Sequence, residues 1–385
     1  MLGAGTLRHF MIIAIVPFLC GSLFAQNEWQ RSYGGWDAEQ AGCIIQTSDS
    51  GFLVVGSTGS FGTGGGDVYL FKLDSAGVRE WSTTFGGPGP EQGWSLRPLD
   101  DDGCILVGST LIAGPGTYDG YMVRTDANGN GLWEKAIGTT EWEFLYDVEV
   151  LSDGFLAVGQ TYATGGGDIW VVRTDLAGDT LWTRSHGDVQ VDQGRCIRNT
   201  PDGGSIIAGT IGRADGTSDA LLLKLDPFGV EEWRTAVGGD SVEVGLSVTI
   251  LDDGNYLLAG YSTSYGPFRV MYLAKVDVDG TPMWENWIGG GATDWEGRSV
   301  LQDQNGSIVL AGYSKAFGAG GKDFYLLFAD DQGNYLSGPT FGSSGDEEAW
   351  SVALTHDGGY VVAGNAIGLG PGPSAVFVVK TLGST

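Results

Sequence analysis

Acidic and aromatic residues recur at one position along this chain, and they are the side chains best placed to do chemistry. They stand seventeen residues before a recurring glycine, as Glu39, Glu91, Trp142, Asp192, Glu243, Trp295 and Glu347. Carboxylates gathered around one opening would concentrate negative potential and attract cations or basic ligands. The alternative is structural, with each carboxylate accepting backbone N–H groups from its own or the next repeat. The sequence leaves both interpretations open.

A second candidate site is a loop that resembles a calcium-binding turn. Hard cations prefer several oxygen ligands at alternating positions around a glycine. This pattern occurs once, with Asp126, Asn128 and Asn130 preceding Gly131 and with Glu134 at the ninth position. Position twelve, where a bidentate glutamate is expected, is Ile137. Calcium is therefore the one cofactor that the sequence suggests, and an ordinary polar turn is the alternative.

The chain contains few residues suited to covalent or metal-assisted catalysis. Beyond residue 25 the histidines are His186 and His356, and neither has a local serine–acid or metal-ligating partner set. Cysteines Cys43 and Cys196 occupy a repeat position that holds serine elsewhere, which favours structural free thiols. Paired carboxylates could hydrolyse glycosides, but acids that recur in nearly every repeat are typical of structure. We expect no enzymatic activity, with a glycoside-acting enzyme as the remote alternative.

The composition excludes several classes of protein. The 385 residues include 67 glycines, and 47 acidic against 20 basic residues give a net charge of −27. Aromatic residues make up 11% of the chain, which is too many for a disordered protein. The glycines follow no three-residue period, so the chain is not collagen-like. The negative charge argues against nucleic acid and anionic membranes as partners.

The first 25 residues have the pattern of a signal peptide. Arg8 precedes an apolar run over residues 11–18, and Leu23-Phe24-Ala25 forms a suitable cleavage site before Gln26. The run is shorter than the apolar stretch that a transmembrane helix needs. We expect the protein to be exported, without a membrane span, and to be secreted, held at the cell surface or periplasmic.

Seven repeats organise the remainder of the chain. Tryptophan recurs at spacings of 49 to 52 residues, as Trp29, Trp81, Trp133, Trp182, Trp233 and Trp284. A glycine recurs in step, as Gly56, Gly108, Gly159, Gly209, Gly260, Gly312 and Gly364. The first repeat contains strand-like runs over residues 42–47, 52–57, 68–73 and 80–85, separated by Asp/Gly turns. Four strands per repeat are typical of a propeller blade.

The repeat arithmetic predicts a closed ring. The seventh repeat ends at Thr381 before its fourth strand, and the missing strand is present near the other end, over residues 29–33. Pairing the two ends would remove the open edge that favours aggregation. We therefore predict an all-β protein with a single domain over residues 26–385. This domain is a closed seven-bladed β-propeller of four-stranded blades, whose N-terminal strand completes the last blade. A β-solenoid would give no reason for the split repeat.

The repeat also resembles a known family. The residues that carry the resemblance are Tyr33-Gly34-Gly35, Asp49-Ser50-Gly51-Phe52, Val55-Gly56-Ser57-Thr58, Phe71-Lys72-Leu73-Asp74, Gly77 and Trp81. They resemble the bacterial secreted β-propeller repeat (SBBP) type, and the similarity extends over residues 29–381. The resemblance implies a secreted or surface propeller and supplies no catalytic residues.

The function predicted from the sequence is binding. Gly-rich loops at residues 61–67, 163–168 and 317–323 would form a variable surface on a rigid scaffold. Exposed aromatic residues among Tyr162, Tyr265, Phe268 and Phe317 would favour binding over the alternative of a structural cell-surface protein. The expected partner is an unknown protein or glycan, and the expected state is a monomer.

Overall fold

The described part of the chain folds into 29 β-strands that form seven sheets. The computed structural model describes residues 27–111, 117–291 and 293–382, and those residues contain no helix. The predicted signal peptide, residues 1–25, lies outside the described residues. No described segment is therefore a helix that could cross a membrane.

The sheets are the seven blades of a propeller, and their strands run as follows. Strand β1 is Asn27–Tyr33. Blade 1 has β2 (Glu39–Gln46), β3 (Phe52–Thr58), β4 (Asp67–Leu73) and β5 (Arg79–Phe85). Blade 2 has β6 (Gln92–Pro98), β7 (Cys104–Thr110), β8 (Asp119–Thr125) and β9 (Gly131–Ile137). Blade 3 has β10 (Glu143–Leu151), β11 (Gly154–Thr161), β12 (Asp168–Asp175) and β13 (Thr180–His186).

The remaining blades follow the same antiparallel order. Blade 4 has β14 (Gln193–Asn199), β15 (Ser205–Gly212), β16 (Ser218–Leu225) and β17 (Glu231–Val237). Blade 5 has β18 (Glu243–Ile250), β19 (Tyr256–Ser262), β20 (Val270–Val276) and β21 (Pro282–Ile288). Blade 6 has β22 (Trp295–Gln302), β23 (Ile308–Ser314), β24 (Asp323–Ala329) and an outer strand in two pieces, β25 (Tyr335–Ser337) and β26 (Thr340–Phe341). Blade 7 has β27 (Glu347–Leu354), β28 (Tyr360–Ala366) and β29 (Ala375–Thr381).

The N-terminal strand closes the ring, as the sequence predicts. Strand β1 pairs antiparallel with β29, with Tyr33 opposite Val376 and Trp29 opposite Lys380. The sheet order β1-β29-β28-β27 makes β1 the outer strand of blade 7. The predicted all-β seven-bladed propeller with four-stranded blades is therefore confirmed.

The first strand of each blade is the innermost one. Strands β2, β6, β10, β14, β18, β22 and β27 contact one another in that order, and β27 contacts β2 again. The second and third strands are buried on both faces because each blade packs between two others. For example, Val54 packs in the core between blades 7 and 1, and its neighbour Val55 packs between blades 1 and 2.

The recurring tryptophan and the recurring turn glycine contact each other across adjacent blades. Each outer-strand indole lies over the glycine of the next Asp-x-x-Gly turn, in the pairs Trp29–Gly77, Trp81–Gly129, Trp133–Gly178, Trp182–Gly229, Trp233–Gly280 and Trp284–Gly333. These glycines have φ between 74° and 86°, and a Cβ on any of them would lie less than 3.0 Å from the indole. The two residues recur together because one is the docking surface for the other.

We expect Gly178→Ala to destabilise the fold more than an alanine at a comparable turn glycine. The new methyl would lie 2.8 Å from the Trp133 ring, and overpacking of this kind costs about 1–3 kcal/mol beyond the penalty of positive φ. The matched control is Gly254→Ala, where φ is +83° and no atom outside the neighbouring residues lies within 4 Å of the added Cβ. Denaturant unfolding of both variants measures the difference. If both variants lose the same free energy of unfolding, the Trp133 indole moves aside without cost.

A buried cation recurs near the end of the third strand and was missed by the sequence analysis. Lys72 pairs with Asp49 at 2.7 Å, and Lys224 pairs with Asp202 at 2.8 Å. The equivalent pairs are Arg124–Asp101, Arg173–Asp153, Lys275–Asp253 and Lys380–Asp357. Blade 6 replaces both members, with Phe328 against Tyr360 and an uncharged Asn305 in the hairpin. The joint replacement avoids an unpaired buried charge.

Candidate functional site

The two faces of the ring differ in the length of their connections. The loop face carries the connections from each outermost strand to the next innermost strand, and those between the second and third strands. The turn face carries the Asp/Gly turns. In the Asp-x-x-Gly turns the side chain of the first aspartate accepts backbone N–H groups of the same turn. Asp175, for example, accepts those of Ala177 and Asp179, both at 2.9 Å.

The recurring acids lie buried at the loop-face end of the innermost strands. Glu39, Glu91, Asp192, Glu243 and Glu347 are at most 1% exposed. Each accepts the backbone N–H of the residue four positions earlier, at 2.7–3.0 Å. Four of them also accept a hydroxyl donor from their own blade, such as Thr58 on Glu39 at 3.0 Å. Burial raises the pKa of Glu91 and Asp192, whose hydrogen bonds act in the opposite direction.

Two positions of this set hold tryptophan and differ from each other. In blade 3 the buried acid is Glu143, which accepts the Thr139 N–H at 2.9 Å, while Trp142 beside it is 50% exposed. The offset arises because the β10–β11 hairpin is one residue shorter than its equivalents. Counting seventeen residues back from Gly159 therefore selects Trp142, one residue before the acid. In blade 6 Trp295 takes the place of the acid and is 6% exposed, packed edge-on against Tyr325. Ligand binding by the set stays a prediction, and the contacts seen are those of the structural alternative.

The calcium-like loop has the geometry of the other Asp-x-x-Gly turns. Asp126 accepts the N–H groups of Asn128 and Asn130, both at 2.9 Å, and the side-chain amide of Asn130. These bonds lower the pKa of Asp126. Glu134 accepts the Tyr121 hydroxyl instead of turning to the loop. Within the described ranges, no group of three His, Cys, Asp or Glu residues is arranged to hold a metal.

Calcium at this loop stays a prediction with a direct test. We expect Asp126→Ala to lower the unfolding temperature by the same amount in EDTA and in millimolar calcium, because its carboxylate already holds the turn. Asp175→Ala is the matched control, since it removes an equivalent turn without the two asparagines. A calcium-dependent rise in the wild type that only Asp126→Ala abolishes would establish the metal site.

The innermost strands present a second set of residues at the axis. Each contains a β-bulge, and the extra residues are Gly42, Trp94, Tyr146, Arg195, Leu246, Arg298 and Trp350. We call these seven residues the axial belt. Trp94 and Trp350 belong to blades 2 and 7, which are not neighbours, yet their ring centroids are 6.3 Å apart. Such a contact is possible only across the axis, next to Gly42.

Sequence analysis did not single out the axial belt, although the repeats contain a signal for it. The belt residue stands three positions after the recurring acid, or after Trp295 in blade 6, and its type changes from blade to blade, while the residues on either side of it are small in every blade but blade 3. Positions that vary on a constant scaffold are where binding specificity is usually placed. The bulge itself depends on strand register, which the sequence pattern does not show.

The residue after each bulge bonds the blades together. In several interfaces its side chain accepts a backbone N–H from the next innermost strand, as Ser299 does from Val352 at 3.2 Å and Cys196 from Val248 at 3.5 Å. This contact explains why six of the seven blades have a serine or a cysteine there. Cys43, Cys104 and Cys196 are free, and burial raises the pKa of Cys196 to about 11, so this thiol is not reactive at neutral pH.

Blade 3 places an aspartate at that same position. Asp147 accepts hydrogen bonds from Arg97 at 3.0 Å, Arg198 at 2.7 Å and the Ser95 hydroxyl at 2.6 Å. Glu149 bonds the same two guanidinium groups, at 3.0 and 3.4 Å. The four charges cancel and tie blades 2, 3 and 4 together at the axis.

Comparisons with known proteins identify the fold. No protein-family model matches the chain, and no curated protein matches it in sequence. Among solved structures, the Neurospora crassa Pan2 WD40 domain is 10% identical with a TM-score of 0.54, covering 88% of this chain and 89% of that chain. Sqt1 from Chaetomium thermophilum is 11% identical with a TM-score of 0.52, covering 93% and 98%.

An enzyme is also among the similar structures. A puromycin hydrolase is 14% identical with a TM-score of 0.56, covering 88% of this chain, and the chain spans about half of that protein, 52%. At such identities the likeness shows the propeller fold alone. One fold can carry unrelated functions, so function has to be argued from the residues.

Proposed function

We propose that this protein is an exported, non-catalytic propeller that binds a protein or glycan through its loop face. The observation that carries the proposal is the exposure of large apolar side chains in the loop-face connections. Trp36 is 84% exposed, Trp142 50%, Phe317 56% and Val189 85%. Exposed aromatic groups rimmed by polar loops mark interaction sites.

The aromatic residues named from the sequence support this proposal in part. Phe268 and Phe317 are exposed, by 37% and 56%. Tyr162 and Tyr265 are half-buried, and Tyr265 stacks on Trp287 with 3.9 Å between the ring centroids. The exposed rings thus come from several blades, which suits a large partner that spans the face.

The absence of enzymatic activity is part of the proposal and has its own support. Burial lowers the pKa of His186, the last residue of the outer strand β13, whose Nδ1 lies 4.0 Å from the Glu231 carboxylate. The buried recurring acids are already engaged within their blades. Export is supported by the signal-peptide pattern of residues 1–25 and by the resemblance to the SBBP repeat.

The test compares two triple variants of the purified protein on glycan and peptide arrays. The loop-face variant is Trp36→Ala, Trp142→Ala and Phe317→Ala. The matched turn-face variant is Leu176→Ala, Phe228→Ala and Val278→Ala, whose side chains are 56%, 69% and 50% exposed in Asp-x-x-Gly turns.

We expect array binding by the wild type and the turn-face variant, and loss of binding by the loop-face variant. Equal binding by both variants would place the interaction elsewhere. Binding by none of the three proteins would favour the structural cell-surface alternative.

A further inference from the structure

We propose that the axial belt binds a ring-shaped organic acid, with its ring against the belt aromatics and its carboxylate at Arg195. The inference rests on the proposed binding function and adds to it the chemistry of a ligand. It concerns a site inside the ring, separate from the exposed side chains of the loop face.

The aromatic members of the belt form a continuous surface around the axis. Tyr146 and Trp94 have centroids 6.1 Å apart, and Trp94 meets Trp350 at 6.3 Å. A Cβ on Gly42 would lie 2.6 Å from the Gly93 and Trp94 carbonyl oxygens, so blade 1 adds no side chain between the two indoles. All three rings are half-buried and retain accessible surface. Such surfaces stack on flat or ring-shaped ligands.

A further line of aromatic rings connects the belt to the loop face. Phe144 stacks on Tyr146 with an interplanar angle of 6°, and the exposed Trp142 packs edge-on to Phe144 at 6.5 Å. A ring-bearing ligand that enters from the loop face along blade 3 would therefore meet these three rings in turn.

Arg195 gives the belt a cation without a carboxylate partner. Its guanidinium lies 4.2 Å from the Tyr146 ring centroid, and its Nη2 donates to Gln193 at 2.9 Å. No acidic group among the described residues lies within ion-pair distance of it. In a chain with 47 acids and 20 bases, an unpaired guanidinium at the axis is a binding group for an anion.

Several buried donors of the belt also lack acceptors. Within the described part of the chain, Trp94 Nε1, Trp350 Nε1, Arg195 Nε and Arg298 Nη1 have no hydrogen-bond partner. The Arg298 side chain is only 9% exposed. All four groups are N–H donors without an acceptor, so the surroundings of the belt favour negative charge on a ligand.

The local charge favours an anion despite the acidic chain. The belt contains two guanidinium groups and no acid. The two carboxylates that pair with Arg298, Glu296 and Glu348, are also paired with Arg269 and Lys322, and Asp147 next to Tyr146 is paired with Arg97 and Arg198. Arg298 is also held 3.8 Å over Trp350, so it is fixed in place. This sign is opposite to the cation attraction expected from the recurring acids.

Calorimetry with two pairs of probes tests the proposal. The acids are benzoate and D-glucuronate, and their uncharged counterparts are benzamide and methyl D-glucoside. We expect one acid to bind and its uncharged counterpart to bind at least about tenfold more weakly, because a charge-assisted bond is lost. The acid that binds distinguishes an aromatic source from a sugar source.

Variants locate the site within the ring. We expect Arg195→Gln to lower the affinity for the acid by about tenfold or more. The unfolding temperature of this variant should stay that of the wild type. Arg184→Gln is the matched control, because Arg184 also stacks on an indole, Trp182, and has no ion pair among the described contacts. Arg195→Lys should restore part of the affinity.

Three outcomes would overturn the proposal: uncharged probes binding as well as acids, Arg195→Gln binding like the wild type, or no binding of either acid at millimolar concentration. Each of these leaves the array experiment on the loop face unaffected. Failure of the axial site is therefore distinguishable from failure of the proposed function.

Discussion

A chain that begins at Gly34, and so lacks β1, is expected to lose about 5 kcal/mol or more of its free energy of unfolding. It loses two half-buried aromatic side chains together with the strand pairing of β1, and removing one fully buried aromatic side chain alone costs about 3–5 kcal/mol. Trp29 packs against Phe52 and donates from its indole to Ser75 O at 3.1 Å. Tyr33 packs on Phe71 and donates to Gly77 O at 2.6 Å. These contacts join blade 7 to blade 1. Their loss opens the ring and exposes the edge of β29 to aggregation.

Denaturant unfolding and light scattering measure this loss, with a chain that begins at Asn27 as the control. A rescue variant restores residues 27–33 behind β29 through an Asp-x-x-Gly turn, which matches the antiparallel pairing of β1 and β29. We expect the rescue to recover most of the stability. A truncated chain as stable and as monomeric as the control would contradict closure by β1.

The second large effect is expected from Asp147→Asn. The substitution keeps the size of the side chain but leaves Arg97 and Arg198 with Glu149 as their remaining acidic partner. Breaking a buried ionic network by removing one member costs about 3–5 kcal/mol. Asp101→Asn is the control, because its carboxylate pairs with Arg124 but is 57% exposed, and exposed pairs contribute about 0–1 kcal/mol. If both variants lose the same free energy of unfolding, the axial network contributes no more to stability than the exposed pair.

This network also predicts a dependence on pH. Burial alone would raise the pKa of Asp147, but Arg97 and Arg198 lower it to about 2. A folded-state pKa below the unfolded value of about 4 means that the contribution is complete above pH 4 and is lost as the pH falls toward 2. The stability difference between the wild type and Asp147→Asn should therefore shrink between pH 4 and pH 2. A constant difference would contradict the low pKa.

The sequence predicted the fold closely because its signals are local and repeated. In blade 1 the predicted strand over residues 42–47 is Glu39–Gln46, and each of the other three runs differs from the observed strand by one residue at one end. Asp/Gly turns and alternating apolar residues act within a few residues of each other. Repetition through seven blades averages out the errors of any single repeat.

The candidate site was less predictable, because it depends on hairpin length and burial. Counting from Gly159 selected Trp142, while the acid that closes the loop is Glu143, since one hairpin is a residue shorter. The sequence placed Glu39 near a channel mouth but did not show that the loop folds over its carboxylate. Burial of that kind follows from the path of the loop backbone.

The sequence by itself determined the blade, the number of blades and the split repeat that closes the ring, because period and turn chemistry are properties of neighbouring residues. Only the tertiary structure decided what meets at the axis. Trp94 and Trp350 are separated by about two thirds of the chain, and Gly42 lets them touch only because blades 7, 1 and 2 converge there. Contacts between distant strands depend on bulge register and ring closure, which no local pattern specifies.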